Sequence, residues 1–219
     1  SFIESGRISV NGPEQEYIKT LFRQNPVRTA VFSDSILFVS SEGSDASFKS
    51  FVYYCAVFLQ ICFKHGIPLK GGIASGKFTA DPKKSVYFGK PLIDAYELEE
   101  SLEFYGVALH NTAEKTVSKS EIESWISIEG IAEKPVPIKQ AGNINHLILN
   151  PFQQNTPNLN LADVFSEFYN QCSGAVRRYV DNTASVYGYD AEGTGRYSHQ
   201  DIKKTKSSPP SATGSSRCS

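Results

Sequence analysis

The 219-residue chain contains no methionine, a single tryptophan and four cysteines, and its charges nearly cancel at a formal net charge of −1. Since there is no initiator methionine, we expect the chain to be processed or to be a piece of a longer one. The near-zero charge gives no electrostatic basis for binding nucleic acid. The cysteines lack zinc-ligand spacing, and Cys55 and Cys62 fall in an apolar run. Free thiols of this kind indicate a reducing compartment, so we predict a cytoplasmic location.

Long hydrophobic runs are also missing. The longest, at residues 51–63, has thirteen residues, which is too short to span a bilayer and is typical of a buried helix. The first residues do not have the composition of a signal peptide. With 40% hydrophobic and 21% charged residues, the composition predicts a soluble globular domain of generous size without a membrane span.

The stretch at residues 27–40, VRTAVFSDSILFVS, organises the rest of the chain. Two apolar runs flank the polar triplet Ser33-Asp34-Ser35, which predicts two buried strands joined by a tight turn. Such a turn holds the Asp34 carboxylate close to backbone carbonyls, and Mg²⁺ prefers oxygen donors of this kind. The alternative is that Asp34 is an ordinary turn former, since Asp and Ser are common in turns.

Hydrophobic periodicity and the Gly and Pro positions predict the remaining elements. Helices are predicted over residues 13–23, 48–65, 91–103 and 161–179, and strands over residues 69–76, 86–88, 106–110, 125–130, 136–139 and 146–149. This order predicts an α+β sandwich, with one mixed or antiparallel sheet and helices packed on one face. The Ser-, Gly- and Pro-rich residues 183–219 predict a disordered or non-native tail, so the folded domain is predicted at residues 1–182.

The sequence alone allows more than one role for several residues. The glycines of the strand LKGGIASG, at residues 69–76, either admit a ligand to the backbone or allow close packing. His110 and His146 have no acidic or cysteine partner at metal-ligand spacing, so we interpret them as structural. The acidic residues of the third predicted helix are interpreted as a solvated face; they are Asp94, Glu97, Glu99, Glu100 and Glu103.

Three motifs in order carry a resemblance to a known family. FSDS at residues 32–35, LKGGIASG at 69–76 and YFGKPLIDAYELE at 87–99 resemble the class III nucleotide cyclase catalytic domain. The residues of these motifs are most similar to those of the bacterial pyrimidine cyclases of Pycsar antiphage systems. The sequence LNPF at residues 149–152 is also similar to that family. The resemblance covers residues 27–152 and implies a ferredoxin-like sandwich, class III cyclase-like in its fold.

The resemblance also implies an activity. Members of this family are homodimers with active sites at the interface, and they use two Mg²⁺ or Mn²⁺ ions per site. The implied reaction converts UTP, or CTP as the second choice, into the 3′,5′-cyclic nucleotide and pyrophosphate, and the product is a second messenger in antiviral defence. The resemblance implies that Asp34 and Lys70 are catalytic and that Asp34 is also a metal ligand, while Ala30 and Ser33 lie near the nucleotide. Lys70 and Arg28 are the candidate cations for the triphosphate, the alternative for each being a surface side chain.

The chain departs from the family at several positions. No Asp precedes Asp34, and Glu4 lies too close to it to be the first metal ligand, so we expect an upstream strand to be missing from this chain. Purine cyclases read the base with Lys or Glu where this chain has Ala30, and carry Asn and Arg where it has Ile93 and Glu97. These departures speak against an adenylate or guanylate cyclase. A catalytically inactive nucleotide-binding or dimerisation module, and an unrelated ferredoxin-like interaction domain, are the alternatives.

Overall fold

The structure is a computed structural model that describes residues 26–40, 42–117, 130–152 and 159–189. The helix predicted at residues 13–23, most of the strand predicted at 125–130 and most of the predicted tail lie outside these residues. The described part is mixed α+β, as predicted.

Eight strands and five helices form in the described residues. The strands are β1 (Val27–Phe32), β2 (Ser35–Ser40), β3 (Lys70–Ile73), β4 (Thr79–Asp81), β5 (Val86–Phe88), β6 (Gly106–Leu109), β7 (Ile131–Ile138) and β8 (Gly142–Leu149). The helices are α1 (Asp45–Lys64), α2 (Lys90–Ser101), the one-turn α3 (Asn111–Glu114), α4 (Leu161–Gln171) and α5 (Arg177–Tyr187), with a short 3₁₀ turn, Gly174–Val176, before α5.

The main sheet has four strands in the order β3-β6-β8-β7. β3 runs parallel to β6, and β8 is antiparallel to both β6 and β7. The last two strands are longer than predicted, because β7 continues through Pro135 and Pro137. A proline cannot donate a ladder hydrogen bond, and both are tolerated here because β7 is an edge strand.

Helices pack on both faces of this sheet, so the prediction that they pack on one face is wrong. Val107 and Leu109 of β6 join the apolar cluster that contains α1 residues, whereas Ala108 joins the cluster of Leu98 and Leu102 on or next to α2. Successive side chains of a strand point to opposite faces, so α1 and α2 lie on opposite sides. All four residues of β6 are buried, which is typical of a strand covered on both faces.

The β1–β2 hairpin is a separate two-stranded antiparallel sheet. The prediction that its strands are buried is wrong: no residue of either strand is buried, and the side chains of Val31, Phe32 and Ile36 are exposed. The hairpin contacts α1 through Phe38, whose ring lies edge-on to Tyr54 and Phe58 of that helix. An isolated pair of strands cannot enclose its side chains.

The helix predicted over residues 161–179 is two helices. α4 ends at Gln171, and Gly174 follows with a φ of 63°, in the left-handed region that a continuing helix does not use. α5 then runs to Tyr187, which carries the folded region past the predicted boundary at residue 182. Thr183, Ala184 and Val186 are buried. The composition predicted the tail to begin at residue 183, but the residues there form the last turns of an amphipathic helix.

Tyr187 connects the two apolar clusters. Its ring lies within about 6 Å of Phe63 and Phe152 on one side and 6.4 Å of Phe104 on the other, and it packs against both clusters. Its hydroxyl donates a hydrogen bond to the Leu149 carbonyl oxygen at 3.1 Å, which satisfies the polar end of a half-buried ring. The end of α5 therefore holds together the layers on the two faces of the sheet.

Candidate functional site

Asp34 lies in the exposed turn between β1 and β2. The strands pair up to Phe32 and Ser35, which leaves Ser33 and Asp34 as a two-residue loop. Ser33 has a φ of 52°, a left-handed conformation that permits the tight reversal. The Phe32 ring contacts the Tyr87 ring edge-on at 5.5 Å, and this contact fixes the base of the turn beside β5.

The other predicted nucleotide contacts flank this turn. Arg28 and Ala30 are alternate residues of β1 and share one face with Phe32; Arg28 is exposed and Ala30 is half-buried. Ser33 is exposed next to Asp34. The hairpin thus brings Arg28, Ala30, Ser33 and Asp34 together along one strand and its turn.

The donor set around Asp34 fits a divalent ion only in part. A carboxylate is the correct type of ligand for Mg²⁺ or Mn²⁺, but one carboxylate is a small share of an octahedral shell. Within the described residues, no group of three or more His, Cys, Asp or Glu side chains is positioned to hold a metal ion. Asp34 alone therefore does not form a metal site, and any ion here needs oxygen ligands from elsewhere, such as substrate phosphates.

Lys70 does not accompany Asp34 on the hairpin but forms an ion pair inside the main domain. Its Nζ lies 3.0 Å from Glu99 Oε1 and donates a hydrogen bond to the Glu99 carbonyl oxygen at 3.2 Å. The ammonium group also lies over the ring of Tyr179, 5.7 Å from its centroid. Lys70 thus joins β3 to the last turn of α2 and to α5, and its charge is balanced by Glu99.

The glycines of the LKGGIASG strand serve close packing in the described fold. A Cβ atom on Gly72 would lie 2.2 Å from the Ala95 carbonyl oxygen, and one on Gly71 would lie 3.2 Å from Val107. The backbone of α2 therefore rests directly on β3. The sequence left open whether these glycines admit a ligand or allow close packing, and close packing accounts for Gly72.

Asp94 was predicted to lie on a solvated face of α2, and this prediction is wrong. Its side chain is only 5% exposed and bonds to the ammonium group of Lys90, which is itself largely exposed. This hydrogen bond raises the pKa of Lys90 above its usual value. The helix turns its Asp94 side inward, together with Leu98, because that side rests on the sheet.

His146 has an acidic partner that the sequence did not reveal. Glu114 Oε1 lies 3.3 Å from His146 Nδ1 and accepts a hydrogen bond from the backbone N–H of Leu147 at 3.0 Å. His110 caps α3, with its Nδ1 3.4 Å from the backbone nitrogen of Thr112. Both histidines thus have structural partners, as predicted, although the partner of His146 is 32 residues away in sequence.

An open cavity of about 490 Å³ lies between α4 and α5. Tyr169 donates a hydrogen bond to Asp181 at 2.8 Å, and the Arg177 guanidinium lies over the Tyr169 ring at 5.1 Å. Burial and this hydrogen bond raise the pKa of Tyr169 to about 12. The sequence prediction missed the site because it treated residues 161–179 as one helix. The cavity is lined by Ser166, Tyr169, Asn170, Arg177, Asp181 and Tyr189.

Helix α1 is the one helix of the described chain that is long and apolar enough to cross a membrane. In the window that meets this test, 44% of the residues are buried inside the fold. Core helices of soluble proteins pass the same test, so its length and composition are weak grounds for a membrane span.

The chain matches no protein-family model, no curated protein and no solved structure.

Proposed function

We propose that the chain is the catalytic domain of a pyrimidine nucleotide cyclase acting on UTP, or on CTP as the second choice. The observation that carries this proposal is the position of Asp34 in an exposed two-residue turn, with Ser33, Ala30 and Arg28 along the same hairpin. A carboxylate and a cation on one accessible edge suit a substrate that brings phosphates and a divalent ion together.

The order of the elements supports the same proposal. The three motifs that resemble class III cyclases fall on the β1–β2 hairpin, on β3 with the residues after it, and on β5 with α2. Each motif thus starts or ends a regular element, and the Phe32–Tyr87 contact joins the first motif to the third.

The proposed reaction is an intramolecular displacement. The ribose 3′-hydroxyl oxygen bonds to the α-phosphorus, the bond from that phosphorus to the bridging oxygen breaks, and pyrophosphate leaves with the electron pair. The hydroxyl proton passes to solvent or a nearby base. A bound Mg²⁺ or Mn²⁺ would neutralise phosphate charge. Asp34 would contribute one oxygen ligand, and Arg28 would contact the triphosphate.

A homodimer is part of the proposal. Phe88 of β5 and Ile93 and Tyr96 of α2 are each more than half exposed, and exposed large apolar side chains of this kind are typical of protein interfaces. We propose that a second copy of the chain covers them. In a cytoplasmic defence system the product would act as a second messenger.

The second candidate is a cyclase-like module that binds a nucleotide or a partner chain without turnover. Two observations favour it. Lys70, one of the two predicted triphosphate contacts, is already paired with Glu99, and the described residues contain no group of three or more His, Cys, Asp or Glu side chains that could hold a metal ion.

The test is an incubation of the full-length native protein with Mn²⁺ and each of the four nucleoside triphosphates, with products separated by mass. We expect a cyclic UMP or cyclic CMP peak that is lost in Asp34→Asn. A cyclic purine product would overturn the pyrimidine assignment. Four blanks with measurable binding of UTP or CTP would support the second candidate. Four blanks without binding would contradict the cyclase assignment and the nucleotide-binding form of the second candidate.

A further inference from the structure

Two opposite charges are held apart on one wall of the cavity between α4 and α5. Arg177 and Asp181 are one helical turn apart on α5, a spacing at which opposite charges commonly pair. Here Tyr169 stands between them, with the guanidinium over its ring and the carboxylate on its hydroxyl. Within the described chain no ion pair joins Arg177 to Asp181, so each presents its charge to the cavity.

The two charged groups recognise different parts of a ligand. A guanidinium offers a planar fork of N–H donors that matches a carboxylate. The Asp181 carboxylate accepts from Tyr169 through Oδ1, and a carboxylate has further acceptor sites for an ammonium group. A polyanion such as a nucleoside triphosphate would meet Asp181 as a like charge, and this repulsion selects against it.

The remaining lining suits a ring. The Tyr189 ring is held in place by stacking on Phe165, with centroids 4.8 Å apart and planes 14° apart. Aromatic pairs gain more than their buried area alone provides. Ser166 and Asn170 add a hydroxyl and an amide to the lining.

We propose that this cavity binds a free aromatic α-amino acid in its zwitterionic form. Arg177 binds the α-carboxylate, Asp181 accepts from the α-ammonium, and the aromatic side chain lies against Tyr189. This site does not depend on the proposed cyclase activity, since none of its residues belongs to the hairpin of Asp34.

The test is a titration of the full, isotope-labelled chain with L-phenylalanine, followed by amide NMR shifts. We expect saturable shifts at Asn170 and Tyr189, with a weak dissociation constant near about 1 mM because the charges are exposed. Arg177→Gln and Asp181→Asn should each weaken binding about fivefold or more. Arg178→Gln is the matched control, because Arg178 is the adjacent arginine but pairs with Glu103 outside the cavity.

Ligand analogues test the same point without any change to the protein. 3-Phenylpropanoate lacks the ammonium group and phenethylamine lacks the carboxylate, so both should bind about fivefold or more weakly than L-phenylalanine. Equal binding of 3-phenylpropanoate would overturn the proposal. So would an absence of saturable shifts at the lining residues, or an Arg178→Gln variant that weakens binding as much as Arg177→Gln does.

Discussion

Lys70 and Glu99 form a partly buried ion pair, with Nζ and Oε1 3.0 Å apart and the two side chains 20% and 25% exposed. The pair joins the first residue of β3 to the last turn of α2. Glu99 uses both its carboxylate and its backbone carbonyl to hold the ammonium group. This arrangement gives Lys70 a structural role that its position before two glycines did not indicate.

We predict that Lys70→Gln lowers the free energy of unfolding by about 1 to 2 kcal/mol, because a charged hydrogen bond and an ion pair are lost together. Urea denaturation measures the change. Lys84→Gln is the control, since the exposed Lys84–Asp81 pair is longer, at 3.6 Å, and its loss should cost less than about 0.5 kcal/mol. Equal effects of the two substitutions would contradict the structural role of Lys70.

Asp34→Asn should reduce any cyclase activity by about 100-fold or more while leaving stability within about 0.5 kcal/mol of the parent chain. Asp34 is exposed in its turn, so the substitution removes a charge without disturbing packing. Asp81→Asn, at the last residue of β4, is the matched control and should keep full turnover. Product formation with Mn²⁺ and thermal unfolding are the two measurements, and unchanged turnover in Asp34→Asn would refute the catalytic assignment.

Gly72→Ala should destabilise the chain by about 1 to 3 kcal/mol, because the added Cβ collides with a backbone atom that cannot rotate away. That atom is the Ala95 carbonyl oxygen, 2.2 Å from the built Cβ position. Gly43→Ala is the comparison: nothing lies within 4 Å of its Cβ, and its stability should stay within about 0.5 kcal/mol of the parent. A neutral Gly72→Ala would mean that α2 does not rest on β3.

Glu114→Ala should cost about 1 to 3 kcal/mol, since it leaves the Leu147 N–H and the His146 ring without their acceptor. Glu114→Gln keeps an oxygen acceptor at the same place and should lose less. The control is Glu133→Ala, because Glu133 is an exposed residue of the edge strand β7. Thermal unfolding of the three variants gives the ranking, and a Glu114→Gln change as large as Glu114→Ala would contradict it.

The buried thiols predict a loss of stability in alkali. Burial raises the pKa of Cys62 from its usual 9.0 to about 11, and that of Cys55 rises for the same reason. Between about pH 9 and 11 the unfolded chain ionises Cys62 whereas the folded chain does not, so the free energy of unfolding falls with rising pH. The Cys62 share is about 1 to 3 kcal/mol.

Urea denaturation at pH 8, 9, 10 and 11 tests the contribution of Cys62 to this loss of stability. In Cys62→Ala the decrease over that range should be smaller than in the parent chain, while the remaining slope reflects Cys55 and the tyrosines with raised pKa values. Parallel curves for Cys62→Ala and the parent would contradict the assignment.

Local patterns were sufficient where one stretch of sequence decides the structure. The turn at Ser33 and Asp34 follows from its turn residues, the strand Gly106–Leu109 from a short apolar run, and the helix Lys90–Ser101 from period-3.6 spacing. The break at Gly174 was missed because the apolar spacing continues across it.

Contacts between residues that are distant in sequence could not be predicted from one sequence. Whether Asp94 faces water or protein depends on how α2 docks, and the partner of Lys70 is 29 residues away. The cavity was equally hidden, because Tyr169 and Asp181 meet only after the chain reverses between two helices. The catalytic assignment of Asp34 remains a prediction based on resemblance.

Tyr187 has a consequence for how the fold melts. Since its ring packs against the apolar clusters on both faces of the sheet, neither layer can lose its side-chain order without exposing a surface of the other. We therefore expect the two layers to denature as one cooperative unit with a single calorimetric transition. The β1–β2 hairpin has no buried residue. We expect it to open locally, with a lower free energy than global unfolding, so its amide protons should exchange with solvent faster than those of the main sheet.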